Sequence, residues 1–508
     1  MSAPVWAEPQ RELRRSMAAW IQSSIARQRA LPWQGGHDEG NFTSSWFGYH
    51  RLTGDPEVPE FLDWLRDGFL AWGREHLVHG YYADGEVHHQ PEGFCGFLSR
   101  MYHLEPDHRP TVEALEAVAR LVGNWVEGVP EWYDWDRHRF RSWRLGTRRV
   151  EAAAPWDYET ADHFRLIQIA LVAHAATGED RYLELATDYA VGWSEDILTR
   201  PVPPAVRLPE QARAQARQLY GPVVVNALEA PPEQSVETHV AGGTISVMLD
   251  LFQLTGYARF AEAAKELLKP VLSSLRDPLA VASGALLARY RQVTWDDTFD
   301  ELAADIIGKM PAWSPEDLIL YLAGGKREHP LAIGRRHDEV RWARDCGDAL
   351  EPDRSAAAPA LMLAYQITGN EDFAASALAK AAAHLELARR VLPDGRSHGC
   401  AGSHASAVAS GHGRSGGIGE VTGALYPLAL GAFLRVGTEQ PAASYRQPDG
   451  TPGLPEGVAA LVRGEAGNLH IELYNGRPAE VTVTVQAAGR EEAVRLSADA
   501  TEGREFSG

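Results

Sequence analysis

The sequence predicts a mainly helical fold: a double-layered (α/α)6 toroid of helical hairpins, or one of seven, over residues 1–440, followed by a small antiparallel β module over 441–508. Three observations carry this expectation. Helical periodicity recurs through the first 440 residues, while strand-like alternation is scarce there. One local pattern returns four times: an apolar helix, a Thr-Gly turn, then an amphipathic helix. Near residue 440 the composition shifts to a turn-rich linker, PDGTPGLPEG, and then to alternating segments.

The four turns are Thr53-Gly54, Thr177-Gly178, Thr255-Gly256 and Thr368-Gly369. Glycine is favoured just past a helix C-terminus because it takes positive φ without strain, so each unit reads as a hairpin. The two helices of a unit differ in character. Residues 164–176 are apolar almost all round, as a helix buried on every side must be. The helix from Asp180 onward carries Arg181, Glu184, Asp188 and Glu195 on a solvent-facing side. The stretches 93–126 and 280–308 supply two more hairpins, and helices at 8–29 and 420–437 close the ring. Successive Thr-Gly turns are 124, 78 and 113 residues apart, too irregular and too long for a tetratricopeptide-like solenoid. In the β module, NLHIELYN and AEVTVTVQ alternate like strands, and Asn475-Gly476 between them reads as a hairpin turn.

Composition narrows the function. The 508 residues carry 49 Lys plus Arg against 69 Asp plus Glu, a formal charge of −20. That balance argues against partners built of phosphate, nucleic acid or anionic membrane alike. No apolar run approaches the roughly 20 residues needed to span a bilayer. Cys95, Cys346 and Cys400 lie too far apart for a disulfide framework or a CxxC zinc pattern. With no apolar stretch near the first residues, the chain reads as cytoplasmic, although one trimmed of a leader would read the same. No metal or cofactor is expected: there is no HExxH, and the glycine-rich run HGCAGSHASAVASGHGRSGGIG lacks the GxxxxGK[ST] pattern of a phosphate loop. No pattern in the sequence sets an oligomeric state.

In a toroid of hairpins the inner helices run parallel, so their N-termini and the preceding loops gather at one end. Titratable residues concentrate in those loops. Residues 35–41 hold His37, Asp38 and Asn41, with Trp46 just inside the helix; 85–93 hold His88, His89 and Glu92, with Tyr82 just before. Residues 155–163 hold Trp156, Asp157, Tyr158, Glu159, Asp162 and His163; 233–243 hold Glu237 and His239. Arg344 falls in 335–348, and His398, His404, His412 and Arg414 fall in 396–420, which reads as a loop closing over a pocket. A polar cluster at one end of an apolar ring is the arrangement of a deep binding pocket. Some of these carboxylates also suit helix N-caps. Thirteen of the fifteen tryptophans precede residue 300. The segment VPEWYDWDRHRFRSWRLG, with Trp132, Trp135 and Trp143, reads either as an aromatic platform for sugar rings or as a loop pinned to the outer surface by its tryptophans.

Hairpins, polar loops and a trailing β module together resemble the (α/α)-toroid carbohydrate-active enzymes, a superfamily of glycoside hydrolases and polysaccharide lyases. The segment ETHVAGGTISVMLDLFQLTGYARFAEAAKELL is similar to the Glu-Thr-Cys helix region of the β-L-arabinofuranosidases. His239 stands where that family has cysteine, so its cysteine chemistry does not carry over. The resemblance implies cleavage of glycosidic bonds in a poly- or oligosaccharide, which a uronic acid in the substrate would suit. Hydrolysis needs an acid and a base or nucleophile, for which Asp38, Asp157, Glu159 and Glu237 are candidates. Elimination from a uronate needs a group to neutralise the carboxylate and a His or Tyr to take a proton. His239, His163, Tyr158, Tyr82, Asn41 and Arg414 are candidates for those roles. His37, Asn41, Trp46, Tyr82, His88, His89, Glu92, Trp135, Trp156, Arg344, His404, His412 and Arg414 are the expected substrate contacts. A sugar epimerase or isomerase on the same scaffold is a further alternative. A non-catalytic helical scaffold would leave the clustering of titratable groups unexplained.

Overall fold

The computed structural model describes residues 3–30, 33, 40–87, 89–277, 281–314, 319–322, 331–334, 354–391, 428–431, 441–465 and 468–507. It is mainly helical, with a small antiparallel sheet module at the C-terminal end.

Helix α1 (Ala7–Gln28) precedes six hairpins among the described residues. The first is α2 (Ser44–Thr53) with α3 (Glu57–His76). In the second, a π-helical segment Gly93–Leu98 runs into α4 (Ser99–Leu104) and returns as α5 (Arg109–Val122). The third is α6 (Phe164–Thr177) with α7 (Asp180–Thr199). Three short helices follow, α8 (Glu210–Arg213), α9 (Ala216–Leu219) and α10 (Pro222–Leu228), then α11 (Pro232–Gly242). The fourth hairpin is α12 (Thr244–Thr255) with α13 (Ala258–Ser274), and the fifth α14 (Val281–Thr294) with α15 (Asp300–Gly308). The sixth is α16 (Ala358–Thr368) with α17 (Glu371–Val391). Among the described residues, the first 440 also contain three two-stranded ribbons: β1 (Tyr133–Asp134) with β2 (Arg139–Phe140), β3 (Glu159–Thr160) with β4 (Val206–Arg207), and β5 (Ile319–Leu322) with β6 (Leu331–Gly334). Most of the helix expected at 420–437 lies outside the described residues.

The hairpin turns share one design. In the first, the Thr53 hydroxyl donates to the Tyr49 carbonyl (2.8 Å) and accepts the Asp55 N–H (3.3 Å). Gly54, at φ 70°, closes the helix by donating its N–H to His50 O (2.7 Å). Thr177-Gly178, Thr255-Gly256 and Thr368-Gly369 repeat the arrangement. A fifth copy, Thr294-Trp295, has the same two threonine bonds, but a tryptophan at φ 57° takes the glycine's place. A search for Thr-Gly passes over it.

The first helices of successive hairpins are neighbours in the order α2, α4, α6, α12, α14, α16. At their C-terminal ends Arg51 donates to the His103 carbonyl (3.2 Å), and Tyr102 to the Ala175 carbonyl (2.9 Å), joining α2 to α4 and α4 to α6. N-terminal ends also meet. Arg165 on α6 pairs with Glu92, just before the Gly93–Leu98 segment. Gly40 leaves room for Phe97, Gly242 for the Ala161 carbonyl, and Gly284 on α14 for the backbone of Ala360 on α16. A buried Arg289–Asp250 ion pair (2.5 Å) braces α14 to α12. These first helices are buried along most of their length: α6 over 164–173, α12 over 244–251 and α16 over 358–366.

The C-terminal module holds β7 (Ala443–Arg446), β8 (Val458–Glu465), β9 (Asn468–Asn475), β10 (Val481–Ala487), β11 (Arg490–Leu496) and β12 (Ala500–Ser507). They form two antiparallel three-stranded sheets, β11-β10-β7 and β12-β9-β8. Val483, Val485 and Val494 of one sheet and Ile471 and Leu473 of the other are fully buried. The Asn475-Gly476 hairpin expectation is corrected here. β9 pairs with β8 and β12, not with β10, so this turn carries the chain from one sheet to the other. The reason lies in the Asn475 side chain, which is fully buried and donates to the carbonyls of Ala479, Leu496 and Ser497 (2.9, 3.2 and 3.0 Å). It is a clamp between the sheets, and a tight two-residue turn would pull it out.

The module rests on the C-terminal ends of α2, α14 and α16. Leu454 N–H donates to Leu52 O (2.7 Å), Arg291 to Gly464 O (3.1 Å) and Gln366 to Val462 O (2.8 Å). On α1, Gln10 donates to Ala460 O (2.6 Å) and accepts Ala460 N–H (2.9 Å). Sheet therefore lies against the C-terminal ends of α2, α14 and α16, and the loops 85–93 and 155–163 precede the N-terminal ends of the Gly93–Leu98 segment and α6.

Candidate functional site

Three loops bring polar side chains together where the Gly93–Leu98 segment and α6 begin. Helix α6 is otherwise apolar, so a charge in its first turn must be paired to be buried. Arg165 is that charge. Its side chain is 3% exposed, with Nη1 2.5 Å from Glu92 Oε1 and Nε 3.9 Å from Asp162 Oδ1. One guanidinium thus stands between carboxylates from two hairpins. Thr160 fixes the start of this turn: its hydroxyl accepts the Asp162 N–H (3.3 Å), while His163 Nδ1 accepts the Thr160 N–H (3.2 Å) in a reciprocal cap.

Tyr158 lies close to this group. Burial first, then the carboxylates of Asp162 and Glu86, together push its phenol up to about 12. Its hydroxyl therefore sits in the field of both. Glu86 is 24% exposed and Asp162 21%, so both face solvent more than Glu92 does. Glu86 is held by His89, whose backbone N–H donates to Oε1 (3.1 Å) and whose ring also touches it. The neighbouring Val87 N–H donates to Trp143 O (3.1 Å), setting the 85–93 loop against an aromatic stack. In that stack Trp143 lies between Trp156 (centroids 5.9 Å apart, planes 18°) and Tyr158 (6.0 Å, 13°). The Arg144 guanidinium is 5.2 Å from the Trp156 ring centre. Asp157, beside the stack, accepts the Tyr220 hydroxyl (2.6 Å), and the Tyr220 ring meets Tyr158 edge-on at 6.2 Å.

Of the residues expected from sequence, the structure brings together His89, Glu92, Trp156, Asp157, Tyr158 and Asp162. Others stand apart. Glu159 is fully buried and accepts the Phe140 N–H (2.8 Å) and Arg207 (3.3 Å), with Arg139 at 3.9 Å. His163 is fully buried: Nδ1 accepts the Thr160 N–H and Nε2 donates to Ser142 O (3.0 Å), and burial holds its pKa low. His239 is likewise buried, bonded to Pro204 O (2.9 Å) and Thr244 Oγ1 (3.1 Å), and burial lowers it to about 4. Both imidazoles are neutral parts of the packing. Glu237 is exposed on α11. Trp46 is fully buried among Trp20, Phe42 and Phe61. Tyr82 is exposed with its ring edge against Trp72. Trp135 leans on Tyr133 and Trp125, and with Tyr133 bonded to Asp188 of α7 (2.5 Å), the 132–140 ribbon is pinned to the outer helices. Asn41 opens a 3-10 turn, Asn41–Thr43. His37, Asp38, His88, Arg344, His398, His404, His412 and Arg414 lie outside the described residues.

Sequence reasoning missed Glu86, Arg165 and Tyr220. Glu86 was overlooked in favour of the two histidines that follow it. Arg165 had a signal, a lone charge in an apolar helix. Tyr220 had none, because it reaches Asp157 from 63 residues away. Among the described residues, no group of three or more His, Cys, Asp or Glu is placed to hold a metal ion, and no helix is long and apolar enough to cross a membrane. The chain matches no known protein-family model and no curated protein.

Proposed function

We propose that the chain is a carbohydrate-active enzyme of (α/α)-toroid architecture that hydrolyses glycosidic bonds with a pair of carboxylates, Glu86 and Asp162. The observation that carries this reading is their placement: both are partly exposed, come from loops before different hairpins that Arg165 and Glu92 join, and act electrostatically on one phenol of a stack of three aromatic rings. Aromatic faces hold the apolar face of a sugar, and two carboxylates in unlike surroundings divide the work of proton donor and of base or nucleophile. Asp162 lies 3.9 Å from the Arg165 guanidinium, a pairing that suits it to the basic or nucleophilic part. Glu86, held by His89, is the other member of the pair. The row of neighbouring first helices from α2 to α16 is what a toroid of hairpins requires of these elements, and the sheet module against the C-terminal ends of α2 and α16 leaves the opposite ends for substrate entry.

Elimination from a uronate is the weaker reading. His163 and His239 are buried with both ring nitrogens engaged, and the raised pKa of Tyr158 keeps its phenol protonated and without the phenolate that would take a proton. The test is a panel of neutral and acidic glycans, scored for new reducing ends and for the ultraviolet absorbance of an unsaturated uronate. Hydrolysis predicts reducing ends without that absorbance. It also predicts that Asp162→Asn and Glu86→Gln each lower kcat about 100-fold or more while the thermal midpoint holds. Absorbance rising with the reducing ends, or variants with unchanged kcat, would overturn it.

A further inference from the structure

Residues 201–231 stand apart from the main body of the protein. Val206, Leu208, Ala212, Ala216, Tyr220 and Val224 pack on Tyr158 as a small apolar cluster separate from the principal core. Along α8 and α9 only Ala212, Ala216 and Tyr220 turn inward, at every fourth position, and the residues between them are exposed. Prolines bound the segment at both ends: Pro201, Pro203 and Pro204 before it, Pro231 and Pro232 after. The base is tied down, by Arg207 to Asp196 (2.8 Å) and Glu159 and by His239 to Pro204 O. Beyond that base, among the described residues, the side-chain hydrogen bond that ties 208–230 to the rest is Tyr220 to Asp157. A segment with one narrow buried stripe and one polar tie opens more readily than the helices around it.

Tyr220 also has a suggestive position. A six-membered ring lies against Tyr158 and places a hydroxyl on a carboxylate. That is what a sugar unit on this stack would do. We propose that residues 208–230 are a hinged cover latched by the Tyr220–Asp157 hydrogen bond, and that a saccharide unit binds by displacing Tyr220, setting a ring on the Trp143–Trp156–Tyr158 stack and a hydroxyl on Asp157. The identity of the ligand rests on the carbohydrate reading; the cover does not.

Hydrogen exchange on the full chain tests the cover without reference to activity. Peptides within 206–228 should exchange together, about 100-fold faster than peptides of α12, and Tyr220→Phe should speed them about tenfold further. Asp157→Asn should act in the same direction. Exchange no faster than that of α12, or unchanged in both variants, would overturn the cover. For the ligand, a cello-oligosaccharide and an oligogalacturonate serve as neutral and acidic probes. Tyr220→Phe should tighten binding of at least one about tenfold, because the competing hydroxyl is gone. Fast exchange that responds to Tyr220→Phe, with neither probe bound by either protein, would refute the saccharide and leave the cover standing.

Discussion

Replacing Gly54 by alanine should cost about 3–5 kcal/mol, whereas the same change at Gly178 should cost only about 1 kcal/mol. The two glycines close equivalent hairpins at φ 70° and 72°, so the backbone penalty is common to both. Left-handed backbone costs an L-residue roughly 1–2 kcal/mol, and the stiffer unfolded chain returns about 0.4–1 kcal/mol of it. Their neighbours differ. A Cβ on Gly178 meets nothing within 4 Å. A Cβ on Gly54 lies 2.9 Å from the Pro452 carbonyl carbon and closer still to its oxygen, and both are backbone. Overpacking adds roughly 1–3 kcal/mol. Pushing Pro452 away also strains the Leu454–Leu52 hydrogen bond (2.7 Å), worth about 1 kcal/mol. Urea unfolding of the two variants, followed by circular dichroism, measures the difference directly. If the two midpoints fall by the same amount, the sheet module does not bear on the first hairpin turn in the way described.

Two further outcomes follow from buried or crowded charge. Glu159→Ala strips one of the two carboxylates from Arg207, leaving Asp196, and leaves the buried Phe140 N–H without an acceptor, so a loss of about 2–4 kcal/mol is expected by thermal unfolding; a loss below about 1 kcal/mol would contradict the burial. Glu472 on β9 is lifted to about 7, first by burial and then by the like charge of Glu371 on α17. A carboxyl raised on folding adds stability that is full below the usual carboxylate pKa and is lost as pH rises through about 7. Glu472→Gln should therefore stabilise the protein at pH 8, by about 1 kcal/mol once solvent screening of this half-exposed group is counted, and not at pH 4. An equal gain at both pH values in urea titrations would remove Glu371 and burial as the cause.

Local signals made the hairpins legible. Thr-Gly turns mark helix ends through a threonine hydroxyl and a positive φ, both properties of adjacent residues. Thr294-Trp295 escaped because the same geometry there is held by a side chain that pattern reading does not associate with it. The loops at 85–93 and 155–163 were also visible as acidic and aromatic clusters, and part of the candidate site came from them. Long-range pairing was not visible. Glu159 and Asp157 are two residues apart, yet one is sealed beneath β4 by Arg207 and the other meets Tyr220, and only the path of 201–231 decides which. His163 and His239 looked chemical in sequence because histidine near a helix start suits catalysis. Packing turned both into neutral hydrogen-bonding struts. Asn475-Gly476 misled for a similar reason: the dipeptide favours a tight turn, but a buried asparagine clamped by three carbonyls outweighs that local preference.

The two hydrogen bonds between Gln10 and Ala460 span 450 residues. A ribosome adding about 5–20 residues per second needs roughly 20–90 seconds to bridge that gap. Throughout that interval water holds the Gln10 amide, and its two partners on β8 do not yet exist. The N-terminal helix therefore completes its polar contacts only after β8 has emerged, so the first element made is among the last to be finished.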